Sequence, residues 1–403
     1  MSKVPFDQRL SPETRLLLAA SRPFLTDAEG RELPSLCPPG LDWQRLLFLV
    51  NWHRIPGLVY HNLEQYTTDR LPAGFARALG QAYEKNRQRE MRLAAELVRL
   101  QQMLDEKGLT AAFFKGPILS IQLYGSLGLR HSRDIDLLMR PEDIEPVSQA
   151  LIAEGYQARD LDFTLTPRQQ RTYYRKAHHF TFAHTKHDFV LEAHWRLADN
   201  PHFLPPDFEL KSLERARSVV FGGAEVMTFC EEDNFIYLCA HGAQHRWFRL
   251  KWLCDIAAWL RSPQPADWPG LAEAALRRGM ERPAAQAVLL AERLLDAPLP
   301  VPLREMAARV EPARQLVAMA AQTVLHPDER RFRQGEFKAM AISFYLVKLK
   351  KGLKYKLSAL SSPWIEVEDW KTIPLPDFLF PLYFVLRPIL WLRQRFGAII
   401  RPR

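Results

Sequence analysis

The chain has 403 residues, 47% hydrophobic, 25% charged and 11% aromatic, with a formal net charge of +9. That balance excludes a disordered or collagen-like chain, and the length exceeds what one hydrophobic core usually holds. Four cysteines are too few for a disulfide scaffold, and the positive charge favours phosphate-rich partners.

Cys37, Cys230, Cys239 and Cys254 lack the paired spacing of a zinc site, so a reducing cytoplasm is the expected compartment. The opening MSKVPFDQRLSPETR has no apolar signal-peptide core. No uncharged apolar run reaches the roughly 18 residues of a spanning helix, so none is expected. The nearest candidate, residues 378–392, is interrupted by Pro381, Arg387 and Pro388.

Residues 1–108 are predicted helical. Asp42 is placed to cap a helix with an apolar face from Trp43 on, and residues 76–104 read as one long amphipathic helix. The pattern changes at 109–200, which reads as an α/β core. Thr110-Ala111-Ala112-Phe113-Phe114 is a short strand, Lys115-Gly116-Pro117 a turn, and residues 118–124 a helix. Residues 134–139 form a second strand, and a helix opens at Pro141 and ends near Gly155. Thr166-Pro167-Arg168-Gln169 starts a capped helix. Residues 179–184 and 189–195 are strands around the turn Thr185-Lys186-His187-Asp188.

Residues 201–330 are expected to be a helical domain, with Trp247, Trp252 and Trp259 in its core. Residues 331–403 form a basic amphipathic tail, in which 337–357 read as one helix broken by Ser361-Ser362-Pro363. Between 341 and 403 there are eleven Lys or Arg and four Asp or Glu. This stretch is a solvated basic face, a peripheral contact with anionic membrane at the inner surface, or a cover for another part of the chain.

The chemistry concentrates at Arg130-His131-Ser132-Arg133-Asp134-Ile135-Asp136-Leu137-Leu138-Met139. Asp134 and Asp136 are two residues apart, so on a strand both leave one face. Paired acids on a strand face hold Mg²⁺ or Mn²⁺ against a triphosphate in many enzymes. Lys115-Gly116 between a strand and a helix N-terminus makes an anion site. Glu192, on a later strand with His194 on the same face, is the candidate third carboxylate or a general base. Arg130 and Arg133 either bind nucleotide or neutralise the acids. His241 and His245 stand at i and i+4 on one helix face. They lack the HExxH pattern of a zinc hydrolase and are expected to pack or to line a cleft.

These residues carry a resemblance. Phe114-Lys115-Gly116, Tyr124, Arg130-x-x-x-Asp134-Ile135-Asp136, Leu191-Glu192-Ala193-His194-Trp195, His241-x-x-x-His245-Arg246-Trp247 and Leu386-Arg387-Pro388 resemble the bacterial family of uncharacterised nucleotidyltransferases, within the polymerase-β-like superfamily. The resemblance implies an α+β fold: a small mixed sheet flanked by helical N- and C-terminal regions. It implies transfer of a nucleoside monophosphate from an NTP to a hydroxyl or phosphate, on a small molecule, sugar or peptide. Asp134, Asp136 and Glu192 would hold Mg²⁺ or Mn²⁺, and Lys115, Gly116, Arg130 and Arg133 would meet the nucleotide. Two departures from the superfamily concern the phosphates: the turn is Lys-Gly rather than Gly-Ser, and the gap from Gly116 to Asp134 is long.

Two other classes compete. The fold can keep nucleotide binding without catalysis. Alternatively, the tail can make the chain a membrane-surface or nucleic-acid adaptor, although no arginine-aromatic RNA motif supports the latter.

Overall fold

The computed structural model describes residues 10–160, 163–263, 266–326, 344–360, 367–387 and 390, with helices arranged about a seven-stranded mixed sheet. This is the α+β class expected from the sequence. The strands are β1 (Ala111–Phe113), β2 (Ile135–Met139), β3 (Tyr156–Ala158), β4 (His179–His184), β5 (Val190–His194), β6 (Arg217–Phe221) and β7 (Ala224–Thr228). Their spatial order is β3-β4-β5-β2-β1-β7-β6. β2 is antiparallel to β1 and parallel to β5.

All five residues of β2 are buried, so its two faces feed two cores. Ile135, Leu137 and Met139 join Phe113, Leu191 and Ala193 on one side. Leu138 joins Ala112, Phe114 and Tyr237 on the other. Strand alternation sends Asp136 to this second side. The charged face of the sheet therefore looks toward the helices that follow it in sequence.

The described helices begin with α1 (Pro12–Ala20), α2 (Asp27–Glu32), α3 (Trp43–His53), α4 (Pro56–Thr67) and α5 (Ala73–Glu106). Asp42 caps α3 as expected, its carboxylate accepting from Arg45 N at 2.8 Å. α5 has 34 residues and so runs about 50 Å. Around the sheet lie α6 (Gly116–Tyr124), α7 (Ile144–Ala153), α8 (Pro167–Lys176), α9 (Phe208–Glu214), α10 (Glu231–Gln244) and α11 (Leu250–Arg261). Thr166 and Gln169 form the capping box of α8. Helices Trp268–Arg277, Glu281–Leu295, Val301–Ala308 and Ala313–Leu325 follow.

Three sequence readings need correction. Residues 201–330 are not purely helical: the β6–β7 hairpin turns at Gly222-Gly223 and joins the core sheet, with Phe113 opposite Thr228. The strand read from Asp134 begins at Ile135. Residues 337–357 are not one helix. The chain breaks between 349 and 352, where Lys350 Nζ donates to Phe203 O at 2.7 Å and Gly352 disfavours helix. The rest of that reading, residues 337–343, and the breaker Ser361-Ser362-Pro363 lie outside the described residues.

The described part of the tail packs on the body. Tyr345 is buried, and its hydroxyl meets Ala243 O and Gln286 Oε1, both at 2.9 Å. Trp370, Phe380 and Tyr383 join the core beneath the sheet.

α2 is tied to α11 by Glu29, whose carboxylate accepts from Arg261 at 3.0 and 2.6 Å. Burial opposes the charge, but Arg261 and the Thr26 amide outweigh it and lower the carboxyl from 4.5 to about 2. The folded state thus binds its proton later than the unfolded chain. The pair's stability is complete above pH 4.5 and lost as pH falls toward 2. Glu29→Gln is expected to cost roughly 1–3 kcal/mol at pH 7. Thermal melts across this pH window should show a smaller acid-dependent drop for the variant than for the parent.

Candidate functional site

Parallel pairing sets Asp136 opposite Glu192 in register, so both carboxylates share a face of adjacent strands. His194, two residues after Glu192, leaves β5 on that face too. Its Nε2 lies 3.3 Å from Asp136 Oδ1 and 3.3 Å from Glu192 Oε2. Donor atoms of these three residues all fall within 4.8 Å of one another. Asp136 is 1% exposed and His194 4%.

Lys115 Nζ approaches Asp136 Oδ1 to 2.6 Å. The approach is an ion pair rather than a well-directed hydrogen bond: Oδ1, like His194 Nε2, is buried with no hydrogen-bond partner. Buried carboxylate and imidazole donors this close together fit a divalent cation. Burial works against the Asp136 charge, but Lys115 and then His194 hold its carboxyl below the usual range. Burial also opposes charge on Glu192, and His194 outweighs it, lowering that carboxyl as well.

Asp134 sits one residue before β2, next to these groups but outside the three-residue cluster. Among the described residues its carboxylate has no ion pair. Burial, then the charges of Asp136 and Glu192, raises it above the usual carboxylate value. Gly116 opens α6 at φ +66°, and a Cβ there would come within 3.1 Å of Asp134 O. Glycine therefore lets the Lys-Gly turn close onto the acidic strand. No side chain caps the N-terminus of α6.

Arg130 and Arg133 part company. Arg130 is 4% exposed, and its Nε meets Asp255 Oδ1 of α11 at 3.0 Å. Tyr124 Oη donates to the same oxygen at 2.9 Å. Arg133 is exposed and makes no ion pair among the described residues. The sequence reading missed its companions. Burial, then the Arg133 charge, depresses both Arg54 and Arg89, and neither has a carboxylate partner among the described residues. Lys251 donates to His131 O at 3.2 Å. Burial and the Arg130 charge push its ammonium down to about 7, while Asp134 pulls it upward. The acids are thus bordered by a basic rim with little compensation.

The loop before β2 is fastened from α5. Asn86 Nδ2 donates to Gly128 O at 2.9 Å and Arg130 O at 2.8 Å. Glu90 accepts from Ser120 Oγ at 2.7 Å, Ser132 Oγ at 2.5 Å and Gly128 N at 2.6 Å. The i, i+4 spacing of Asn86 and Glu90 was visible in the sequence, but nothing marked them as inward-facing.

α10 closes the opposite side. Lys115 Nζ lies 5.7 Å from the Tyr237 ring centroid. Tyr237 Oη and His241 Nδ1 are 3.4 Å apart. His241 meets the Trp252 ring edge-on and His245 stacks on it, with centroids 5.1 and 5.3 Å away. Neither belongs to a metal-competent cluster among the described residues. Burial and then Lys115 keep His241 well below its ordinary value. Trp247 is fully buried and Trp259 is 6% exposed, as core residues should be, whereas Trp252 is half-buried against the core's margin.

The sheet thus sets two carboxylates and an imidazole beside a lysine-tipped turn, an arrangement that could hold a metal ion. Residues 39–296, well over half of the chain, match the family described as uncharacterised nucleotidyltransferase. The chain belongs to that family. Comparisons with curated proteins and with solved structures returned no match.

Proposed function

We propose that this chain transfers a nucleoside monophosphate from an NTP to a hydroxyl or phosphate on a small-molecule, sugar or peptide acceptor, releasing pyrophosphate. The observation that carries this reading is the in-register pair Asp136 and Glu192, with the Lys115 ammonium 2.6 Å from Asp136. The order strand, Lys-Gly turn, helix, acidic strand and parallel acidic strand supports placement in the polymerase-β-like superfamily.

Asp136, Glu192 and His194, with Asp134 beside them, would hold a divalent ion, Mg²⁺ or Mn²⁺. When bound, the ion supplies charge neutralisation at the reacting phosphate and orients the incoming oxygen. The protein does the rest. Lys115, the open amides at the start of α6, and the rim of Arg54, Arg89, Arg133 and Lys251 bind and orient the triphosphate. Arg130 holds the loop rather than the nucleotide. α10 excludes water above Lys115 through Tyr237 and His241. Four buried, free cysteines suit the reducing, nucleotide-rich cytoplasm. Among the described residues no helix is long and apolar enough to cross a membrane.

ATP with Mg²⁺ or Mn²⁺ is expected to raise the melting temperature, and pyrophosphate should accumulate once cell extract supplies the acceptor. Stabilisation with no pyrophosphate under any NTP would instead mark a nucleotide-binding protein.

A further inference from the structure

We propose that this centre is built for a first-row transition ion of the Mn²⁺ or Zn²⁺ class and discriminates against Mg²⁺, with His194 as an imidazole ligand. The inference rests on reading the carboxylate cluster as a metal site, and it narrows the ion.

His194 Nδ1 lies 3.3 Å from the carbonyl oxygen of Arg196. A carbonyl only accepts, so in the neutral ring Nδ1 carries the proton and Nε2 presents its lone pair. That lone pair faces Asp136 Oδ1 and Glu192 Oε2, which also only accept when ionised. Three metal-competent donors thus converge in a buried space. Lys115 shares Asp136 Oδ1 with this set, and a divalent cation can take the place between the imidazole and the two carboxylates. Anchoring the far nitrogen on a carbonyl is how proteins orient a metal-bound imidazole.

An imidazole in the set changes which ion is favoured. Mg²⁺ prefers an all-oxygen octahedron and retains its waters, whereas first-row transition ions accept mixed nitrogen and carboxylate donors. The neighbourhood extends the same preference. His179 is the register partner of His194 across β4 and β5, with ring centroids 4.8 Å apart. Its Nδ1 is buried without a hydrogen bond. His178 adds a third ring 4.4 Å from His179. Donor atoms of His178, His179 and His194 lie within 4.8 Å of one another. Such an imidazole cluster has little to offer Mg²⁺.

The test is Mn²⁺ binding to the full chain by electron paramagnetic resonance, with Mg²⁺ and Zn²⁺ as competitors. Mg²⁺ should displace Mn²⁺ only at about 100-fold excess or more, Zn²⁺ near equal concentration. Electron spin-echo spectra of bound Mn²⁺ should show nitrogen coupling, absent in His194→Gln. That variant should weaken Mn²⁺ by about tenfold or more with little change for Mg²⁺. Equal competition by Mg²⁺, or a parent spectrum without nitrogen coupling, overturns the proposal, and neither result depends on a variant folding. Nitrogen-coupled Mn²⁺ with no pyrophosphate from any NTP would remove the transferase reading and keep the ion assignment. Transfer with a nitrogen-free spectrum would do the reverse.

Discussion

Asp136→Asn is expected to lower nucleotidyl transfer by about 1,000-fold or more. The estimate takes about 4 kcal/mol for lost ion positioning at the transition state, at 1.36 kcal/mol per tenfold. Among the described residues, Asp136 is the one carboxylate that touches both Lys115 and His194. Asparagine keeps the shape and removes the charge. It also removes the ion-pair partner of the buried Lys115 ammonium, so a stability loss of roughly 1–3 kcal/mol should accompany the change. Circular dichroism and a melt separate the two effects, because the variant should stay folded while transfer disappears. A folded variant with full turnover would show that the acid cluster is not the metal site.

The second large effect lies away from the acids. Asp255→Ala is expected to destabilise the chain by about 3–5 kcal/mol, because it strands a buried guanidinium. Asp255 is fully buried, and Arg130 has its Nε within 3.0 and 3.2 Å of the two carboxylate oxygens. The midpoint of thermal unfolding should fall by about 5 °C. The double variant Arg130→Met with Asp255→Leu should recover most of this loss, because a buried pair replaced as a unit is nearly neutral. No recovery would mean that the pair's hydrogen bonds to Tyr124 and Ser132, and not its charge, hold the loop. Arg130 spans from α11 to the loop that precedes Asp134.

The difference between Asp136 and Asp255 shows what a sequence can disclose. Asp136 and Glu192 were legible because strand alternation, the Lys-Gly turn and the order of elements are all local signals. Lys115 was legible as the cation of that turn. Its pairing with Asp136 was not, because that depends on how closely Gly116 lets the turn approach the strand. Arg130 was noticed for its spacing from Asp134, yet its partner lies 125 residues on. Glu90 looked like one more charge on a helix rich in Arg and Glu. Only the tertiary packing of α5 turns it toward Ser120 and Ser132. Arg54, Arg89 and Lys251 come from three separate helical segments, and no linear pattern joins them. The β6–β7 hairpin did leave a trace, two glycines between short apolar runs. Its outer strand is mostly exposed, so its hydrophobic pattern was too weak to identify.

The basic tail follows the same logic. Its charge was plain, but its aromatic anchors decide where the described part goes. Tyr345, Trp370, Phe380 and Tyr383 are buried against the body. Packing on the protein, one of the alternatives read from the sequence, accounts for them directly.

The fate of the label in NTPs tagged at the α- or the γ-phosphate, with divalent ion and cell extract, tests the central claim most directly. Nucleotidyl transfer predicts that the α-label moves to an acceptor, that the γ-label leaves as pyrophosphate, and that Asp136→Asn abolishes both. Movement of the γ-label to the acceptor, or release of orthophosphate alone, would contradict it.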